Sequence, residues 1–303
     1  MIALDEIRRA RERLGDDVQP SPLMQLDDNV WLKLENLQPI GCFKLRGALS
    51  AVMSEQPQDL VTASAGNMAQ AVAWVARRTG VRATIVVPET APRAKLDKVE
   101  ELGGEIVLVP YEAWWQAMVD WGYDGVEGLF IHPSDDPAVM AGNGTIGLEL
   151  CEQLDAFDTV IVPWGGGGLT TGIASAVKAL RPNVRVVAAE PENGAPLAAS
   201  FAAGYEVGID FTPSFVDGAG GPSLMPGAWE RAQGLVDEAV AVPLDDVAEA
   251  MRVLASCARV VAEGAGALPL AAARGREGRT VCVISGGNID AAIYAKVLAG
   301  ETP

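Results

Sequence analysis

Histidine is almost absent from this chain: His132 is the single one in 303 residues. That scarcity removes whole classes of chemistry. A histidine-based catalytic triad would have to use His132, and neither an H-E-x-x-H helix nor a multi-histidine metal site can be assembled. His132 stands in Phe130-Ile131-His132-Pro133-Ser134-Asp135-Asp136-Pro137, at an expected strand end, where a structural, hydrogen-bonded ring is expected. Cysteine is scarce too. Cys42, Cys151, Cys257 and Cys282 are widely spaced and make no C-x-x-C pair, which argues against disulfide or zinc frameworks and for a reducing compartment. Basic side chains are outnumbered, 23 against 40 acidic, giving a formal net charge of -17. That argues against a nucleic-acid partner, because neutralising phosphates takes clustered Lys and Arg. No apolar run approaches the ~20 residues a membrane helix needs. The start, Met1-Ile2-Ala3-Leu4-Asp5-Glu6, also lacks the charged-then-apolar pattern of an export signal. A soluble, unexported, cytoplasmic protein is expected.

What is present is an abundance of apolar residues (49%) and of glycine (33 residues), enough for a sizeable core in one large or two packed smaller α/β units. Short β-branched runs alternate with amphipathic helical patterns. Strands are expected at 30–34, 60–63, 83–87, 105–109, 159–163, 185–189 and 280–284, and helices at 68–78, 91–102, 138–154, 170–180, 247–257 and 267–274. This alternation implies mostly parallel sheet flanked by helices. The stretch 201–226, rich in Gly and Pro, is expected to form long loops near a site.

Three strand-to-helix junctions carry chemistry. In Val162-Pro163-Trp164-Gly165-Gly166-Gly167-Gly168-Leu169-Thr170-Thr171, a strand runs into four glycines and then a helix. Backbone without Cβ atoms approaches an anion closely, and successive N–H groups at a helix start favour phosphate. No Gly-Lys-Ser/Thr follows, so this is not a Walker loop, and G-x-G-x-x-G fails at Thr170 and Thr171. A dinucleotide, and with it a nicotinamide-dependent oxidoreductase, stays open through Glu190 at the end of the next strand. The second junction, Ala63-Ser64-Ala65-Gly66-Asn67-Met68, offers free N–H groups and a hydroxyl suited to a carboxylate, plus the Asn67 amide. The third, Cys282-Val283-Ile284-Ser285-Gly286-Gly287-Asn288, places the Ser285 hydroxyl at the carboxyl edge of the sheet. Lys44, directly after Gly41-Cys42-Phe43 and opening an apolar helical pattern, is held by its neighbours. A desolvated lysine amine can be neutral near physiological pH and act as nucleophile or base. One such lysine, one phosphate cradle, one carboxylate loop and one isolated hydroxyl describe a pyridoxal 5'-phosphate (PLP) site.

The segments 33–48, 64–70, 132–148, 165–168, 190–191, 217–218, 263–270 and 285–288 resemble, in order, those of fold-type II PLP enzymes, within them the threonine/serine dehydratase branch that includes serine racemase. The resemblance spans nearly the whole chain. It implies a large PLP-binding domain of residues 1–50 plus 138–303, a small inserted domain of 51–137, and a homodimer. It implies a Schiff base on Lys44, Phe43 beside the cofactor, Asn67 on its 3-hydroxyl, Gly165, Gly166, Gly167 and Gly168 on its phosphate, and Ser285 on its pyridine nitrogen. Ser64, Ala65, Gly66, Asn67 and Met68 would bind the substrate, and Glu190 with backbone carbonyls would hold a monovalent cation. The implied activity is that of an ammonia-lyase acting on an L-3-hydroxy amino acid. A β-replacement synthase or a racemase on the same fold is the alternative.

Departures from the pattern refine these expectations. Family members usually carry Ser at position 42, His at 68 and Phe at 134, where this chain has Cys42, Met68 and Ser134. A substrate other than plain threonine follows, such as the bulkier 3-phenylserine. Ala65 stands where racemase-like members place a second hydroxyl, which favours elimination over racemisation. Pro196 occupies the position of an acidic ligand in divalent-cation members, so no tight magnesium site is expected. The effector domain of long biosynthetic members has no counterpart here, and distal allosteric control is not expected.

Overall fold

The computed structural model describes residues 1–303, apart from the side chain of Ala94. Ten strands form two sheets. The six-stranded sheet contains β1 (Leu23–Gln25), β2 (Val30–Leu34), β7 (Thr159–Pro163), β8 (Arg185–Pro191), β9 (Glu238–Val242) and β10 (Thr280–Ile284), in the order β1-β2-β10-β7-β8-β9. The four-stranded sheet, order β5-β4-β3-β6, is built from β3 (Asp59–Ala63), β4 (Arg82–Pro88), β5 (Glu105–Val109) and β6 (Leu129–Phe130). All pairs are parallel except β1 with β2. The connecting helices that matter below are α1 (Leu4–Leu14), α2 (Lys44–Glu55), α3 (Asn67–Thr79), α4 (Arg93–Glu101), α5 (Tyr111–Asp120), α6 (Pro137–Gln153), α7 (Gly168–Leu180) and α8 (Pro196–Ala203).

Central parallel strands are covered on both faces, so they read as continuous apolar runs. Every residue of β7 and β10 is buried. Alternate residues feed opposite cores. Leu32, Ile161, Val187 and Cys282 join one cluster, whereas Val160, Val162, Val186, Val281 and Val283 join another with Ile173 and Val177. Each such side chain contributes about 1.5–3 kcal/mol on leaving water. β10, near the end of the chain, inserts between β2 and β7. That insertion gathers the segments leaving three strands at one edge of the sheet: Glu35 to Lys44 after β2, Gly165–Gly168 after β7, and Ser285–Asn288 after β10. Ligands of open α/β sheets bind at such an edge.

The expected strands and helices are all present, most with ends shifted by one to three residues. Three strands escaped the pattern. β1 has three residues, β6 has two, and β9 lies at an edge with a mostly half-buried pattern. None offers a strong apolar run. The helix expected at 247–257 divides into an α-helix Leu244–Val253 and a π-helical turn Leu254–Ala258 that ends at Arg259 with φ 61°.

Candidate active site

Lys44 is the first residue of α2, and the backbone before it is tied down from both sides. Cys42 bridges to Gly286, and the Phe43 N–H donates to the Ser285 carbonyl at 2.9 Å. Gly41 adopts φ 72° with the Asn288 amide 3.1 Å from where a Cβ would sit, so only glycine fits this turn without strain. The Lys44 amine donates to the Pro133 carbonyl at 2.7 Å and lies 5.0 Å from the centre of the Phe43 ring. Burial pulls its pKa down to about 8, opposed by the negative potential of Cys42 and Glu263. A usable fraction of neutral amine therefore exists near neutral pH.

The carbonyl that receives this amine is itself positioned. His132 Nδ1 accepts from the N–H groups of Ser134 (3.2 Å) and Asp135 (2.8 Å), which shapes the turn around Pro133. The imidazole stacks on Trp121 at 4.8 Å, and burial, with Lys44 and Arg231 nearby, pushes its pKa down to about 4. His132 is the neutral structural ring expected from the sequence.

The glycine segment turns sharply into α7. Gly167 has φ 86° and serves as the N-cap, with its carbonyl accepting from Thr171 N–H at 2.8 Å. The N–H groups of the first turn are left free, as at every helix start. A Cβ on Gly168 would meet the Ser134 carbonyl oxygen at 2.6 Å, one on Gly166 would collide with the Ser134 hydroxyl, and one on Gly167 would strike the Trp164 ring at 2.8 Å. Gly165 is overlaid by Gly218, whose carbonyl oxygen lies 3.3 Å from its Cβ position. At Gly166, Gly167 and Gly168 the cradle admits no side chain.

Across from it, Ser64 accepts from Gly66 N–H at 3.2 Å, and Asn67 opens α3. The Asn67 amide donates to Glu263 at 2.9 Å and accepts from the Asn288 amide at 2.8 Å, which joins the second junction to the third. Ala65 and Gly66 are half-buried beside Asn67. Met68, by contrast, is 1% exposed and packs in a core cluster with Leu45, Leu49 and Ile131, so what it can offer a substrate is its backbone N–H. Ser134 contacts the glycine cradle. Ser285 is buried behind the Phe43 link. Glu190 is fully buried, and its two carboxylate oxygens accept from Leu197 N–H (3.1 Å) and Ala198 N–H (2.8 Å) at the start of α8; burial raises its pKa to about 7.

Several residues escaped sequence reasoning. Glu263 stands behind Asn67, its carboxyl pushed up to about 8 by burial and by the Asp217 charge. The Pro133 carbonyl carries no side-chain signal at all. A buried set of charges beneath α2, formed by Lys33, Glu35, Arg46 and Glu149, was also overlooked. Its trace in the sequence is the charged pair Lys33 and Glu35 flanking Leu34 at a strand end, and the isolated Glu149 in the apolar 138–150 pattern.

Comparison with known proteins identifies the family. The model for "Pyridoxal-phosphate dependent enzyme" matches residues 16–286. The chain belongs to the pyridoxal-phosphate dependent enzymes. It is 37% identical to the L-threonine ammonia-lyase of Thermotoga maritima over 98% of this chain and 78% of that protein. Among solved structures, maize serine racemase superposes with a TM-score of 0.87 at 32% identity, covering 99% of this chain and 97% of that one. The T.th. threonine deaminase gives 0.84 at 34% identity, covering 95% and 99%. These place the chain among the fold-type II enzymes, in the threonine/serine dehydratase-like branch that the sequence resembled, and set the dinucleotide alternative aside.

The residues fit the cofactor. A lysine with a depressed pKa, a glycine cradle closed to side chains at Gly166, Gly167 and Gly168, and the buried Ser285, whose carbonyl is tied to Phe43 N–H, would supply, respectively, an amine for an aldehyde, N–H donors for a phosphate and a hydroxyl partner for a ring nitrogen. No helix is long and apolar enough to cross a membrane.

Proposed function

We propose that this protein is a PLP-dependent ammonia-lyase that converts an L-3-hydroxy amino acid to a 2-oxo acid and ammonia. One observation carries the choice of elimination. Lys44 brings a buried amine with a depressed pKa to the junction of the three loops, and Ala65 offers no acid or base of its own. Bound PLP supplies the electron sink that makes the substrate α-proton removable.

In this reading the Lys44 amine would hold the cofactor covalently and is the group placed to take the α-proton. Its 2.7 Å hydrogen bond to the Pro133 carbonyl steadies the amine between these tasks. Gly165–Gly168 would hold the phosphate, Asn67 would bond the 3-hydroxyl and Ser285 would meet the pyridine nitrogen. The substrate carboxylate would be received by the N–H groups of Ala65, Asn67 and Met68 at the start of α3, since those of Ser64 and Gly66 are already bonded. The C–O bond at the β-carbon breaks and the hydroxyl leaves as water, so that the proton taken from the α-carbon and the hydroxide balance as one water lost. Hydrolysis of the remaining C–N bond releases ammonia and the 2-oxo acid. A hydroxyl, rather than a carboxylate, at the pyridine nitrogen keeps that nitrogen less protonated and favours prompt elimination. Cys42 takes no part, because burial pushes its thiol pKa far up.

The cofactor would lie between the large domain, 1–50 plus 138–303, and the small domain, 51–137. The protein would act in the cytoplasm as a homodimer. Glu190 remains the place for a monovalent cation, so turnover should rise when potassium is added to cation-free buffer. Ser134, lying on the cradle in place of the usual Phe, points to a substrate bulkier than threonine. The test is ammonia and 2-oxo acid release from serine, threonine and 3-phenylserine. A clear preference for threonine would overturn the bulky-substrate assignment. Racemised amino acid without ammonia would overturn elimination.

A further inference from the structure

Two helices bring the candidate active site together. α2 carries Lys44 as its first residue, and α6 begins four residues after Pro133, whose carbonyl receives the Lys44 amine. Between these helices lie four charged side chains, with Lys33 and Glu35 fully buried, Arg46 1% exposed and Glu149 5% exposed.

Their hydrogen bonds form a closed set. Arg46 grips Glu35 through Nε to Oε2 (2.8 Å) and Nη2 to Oε1 (2.9 Å), and grips Glu149 through Nη1 to Oε1 (2.6 Å) and Nη2 to Oε2 (3.0 Å). Arg46 Nη1 also donates to Thr145 at 2.9 Å. Lys33 donates to Glu149 at 2.5 Å, to the Ser21 carbonyl at 2.8 Å and to Gln153 at 2.9 Å, and the Ser21 hydroxyl donates to Glu35 at 2.5 Å. Two cations face two carboxylates, so the set is neutral.

Stability alone is a poor reason for four buried charges, because well-packed apolar groups of similar volume often serve as well or better. What ionic hydrogen bonds supply is direction, above all the forked geometry of arginine. The backbones here are also in close contact. A Cβ on Gly142 of α6 would collide with the Arg46 carbonyl, and one on Gly47 of α2 would meet Val139 at 2.6 Å. Apolar contacts between two such smooth helix faces set their distance but leave sliding cheap, whereas the Arg46 fork does not.

We propose that the buried Lys33–Glu149–Arg46–Glu35 set is a positioning device that locks α2 against α6 and so fixes where the Lys44 amine meets the Pro133 carbonyl. None of the four is a catalytic residue; they act through Lys44. The proposal rests on the assignment of Lys44 as the cofactor-bearing amine.

The test uses wild type, Arg46→Lys, which keeps the charge and loses the fork, and Glu149→Gln. Apoenzyme is mixed with PLP and the rate at which the cofactor's bound absorbance band develops is recorded, alongside kcat, KM and Tm. Misplacement by about 1 Å costs on the order of a hundredfold in rate. The expected result is a fall of about tenfold or more in capture rate and in kcat for both variants, with KM changed less than about threefold. A lowered Tm with capture rate and kcat within about twofold of wild type would overturn the proposal and leave the set a stability element. If the charge variants do not fold, Thr145→Val removes one Arg46 bond without stranding a charge. A capture rate at least about halved supports positioning, and an unchanged rate overturns it. Capture needs no substrate, so a wild type that captures PLP normally but releases no ammonia would sink the dehydratase assignment and leave the positioning device standing.

Discussion

Lys33 and Lys44 are lysines of one short segment with opposite fates. Lys33 is fully buried, yet its ammonium bonds to Glu149, Gln153 and the Ser21 carbonyl. Burial lowers its pKa on balance, and Glu149 and Glu35 offset only part of that shift. Lys44 is less enclosed and has the Pro133 carbonyl as its acceptor, with no carboxylate bonded to it among the described residues. At Lys44 no bonded carboxylate opposes burial, and the pKa falls to about 8. Burial alone does not make a lysine chemical. The partners decide whether the ammonium is locked in place or its proton can leave. Two glutamates repeat the lesson. Glu35 meets Arg46 and has a lowered pKa, whereas Glu263 has an amide, Asn67, as its side-chain partner, and burial with the like charge of Asp217 raises its pKa to about 8.

The largest expected effect comes from removing the labile member of the pair. Lys44→Ala should cut turnover by about 10⁴-fold or more, since nucleophile and base are lost together, with the fold retained by circular dichroism. Disturbing the locked member through its partner should cost stability as well as rate. Glu149→Ala strands Lys33 and half of the Arg46 fork, and should lower unfolding free energy in urea by about 3–5 kcal/mol. The cradle gives a graded case. Gly168→Ala drives a methyl into the Ser134 backbone, whereas Gly165→Ala meets nothing nearer than the Gly218 carbonyl oxygen at 3.3 Å. The first should cost about 1–3 kcal/mol and weaken PLP binding more than the second.

The smallest effect is in pH dependence. Lys44 titrates at about 8 when folded against 10.5 for an ordinary lysine. Below the folded value both states carry the charge and its burial cost is felt in full. Between the two values the unfolded chain holds more protons, so stability rises with pH. Lys44→Met should therefore raise the apoenzyme Tm at pH 7, with the gain shrinking towards pH 10.

Much of this was legible in the sequence, and the rest was hidden for physical reasons. The glycine cradle, the Ser64–Met68 turn and the Ser285 loop sit at strand-to-helix junctions, where backbone requirements leave a mark in residue type. The parallel core strands were equally plain because burial on both faces demands continuous apolar runs. Glu263 and the Pro133 carbonyl left little trace. A carbonyl belongs to every residue, and a buried glutamate looks in sequence like an exposed one. Pairing Arg46 with Glu149 requires knowing that α2 lies on α6, which no local pattern reveals. Met68 illustrates the same limit: its loop was recognisable, but the packing of its side chain in the core was not.

The most direct test concerns which amine holds the cofactor. The wild-type protein would be incubated with PLP, reduced with borohydride, digested and mapped by mass spectrometry. The cofactor should be found on Lys44. Its recovery on Lys33 or any other lysine, or no adduct at all, would contradict the account.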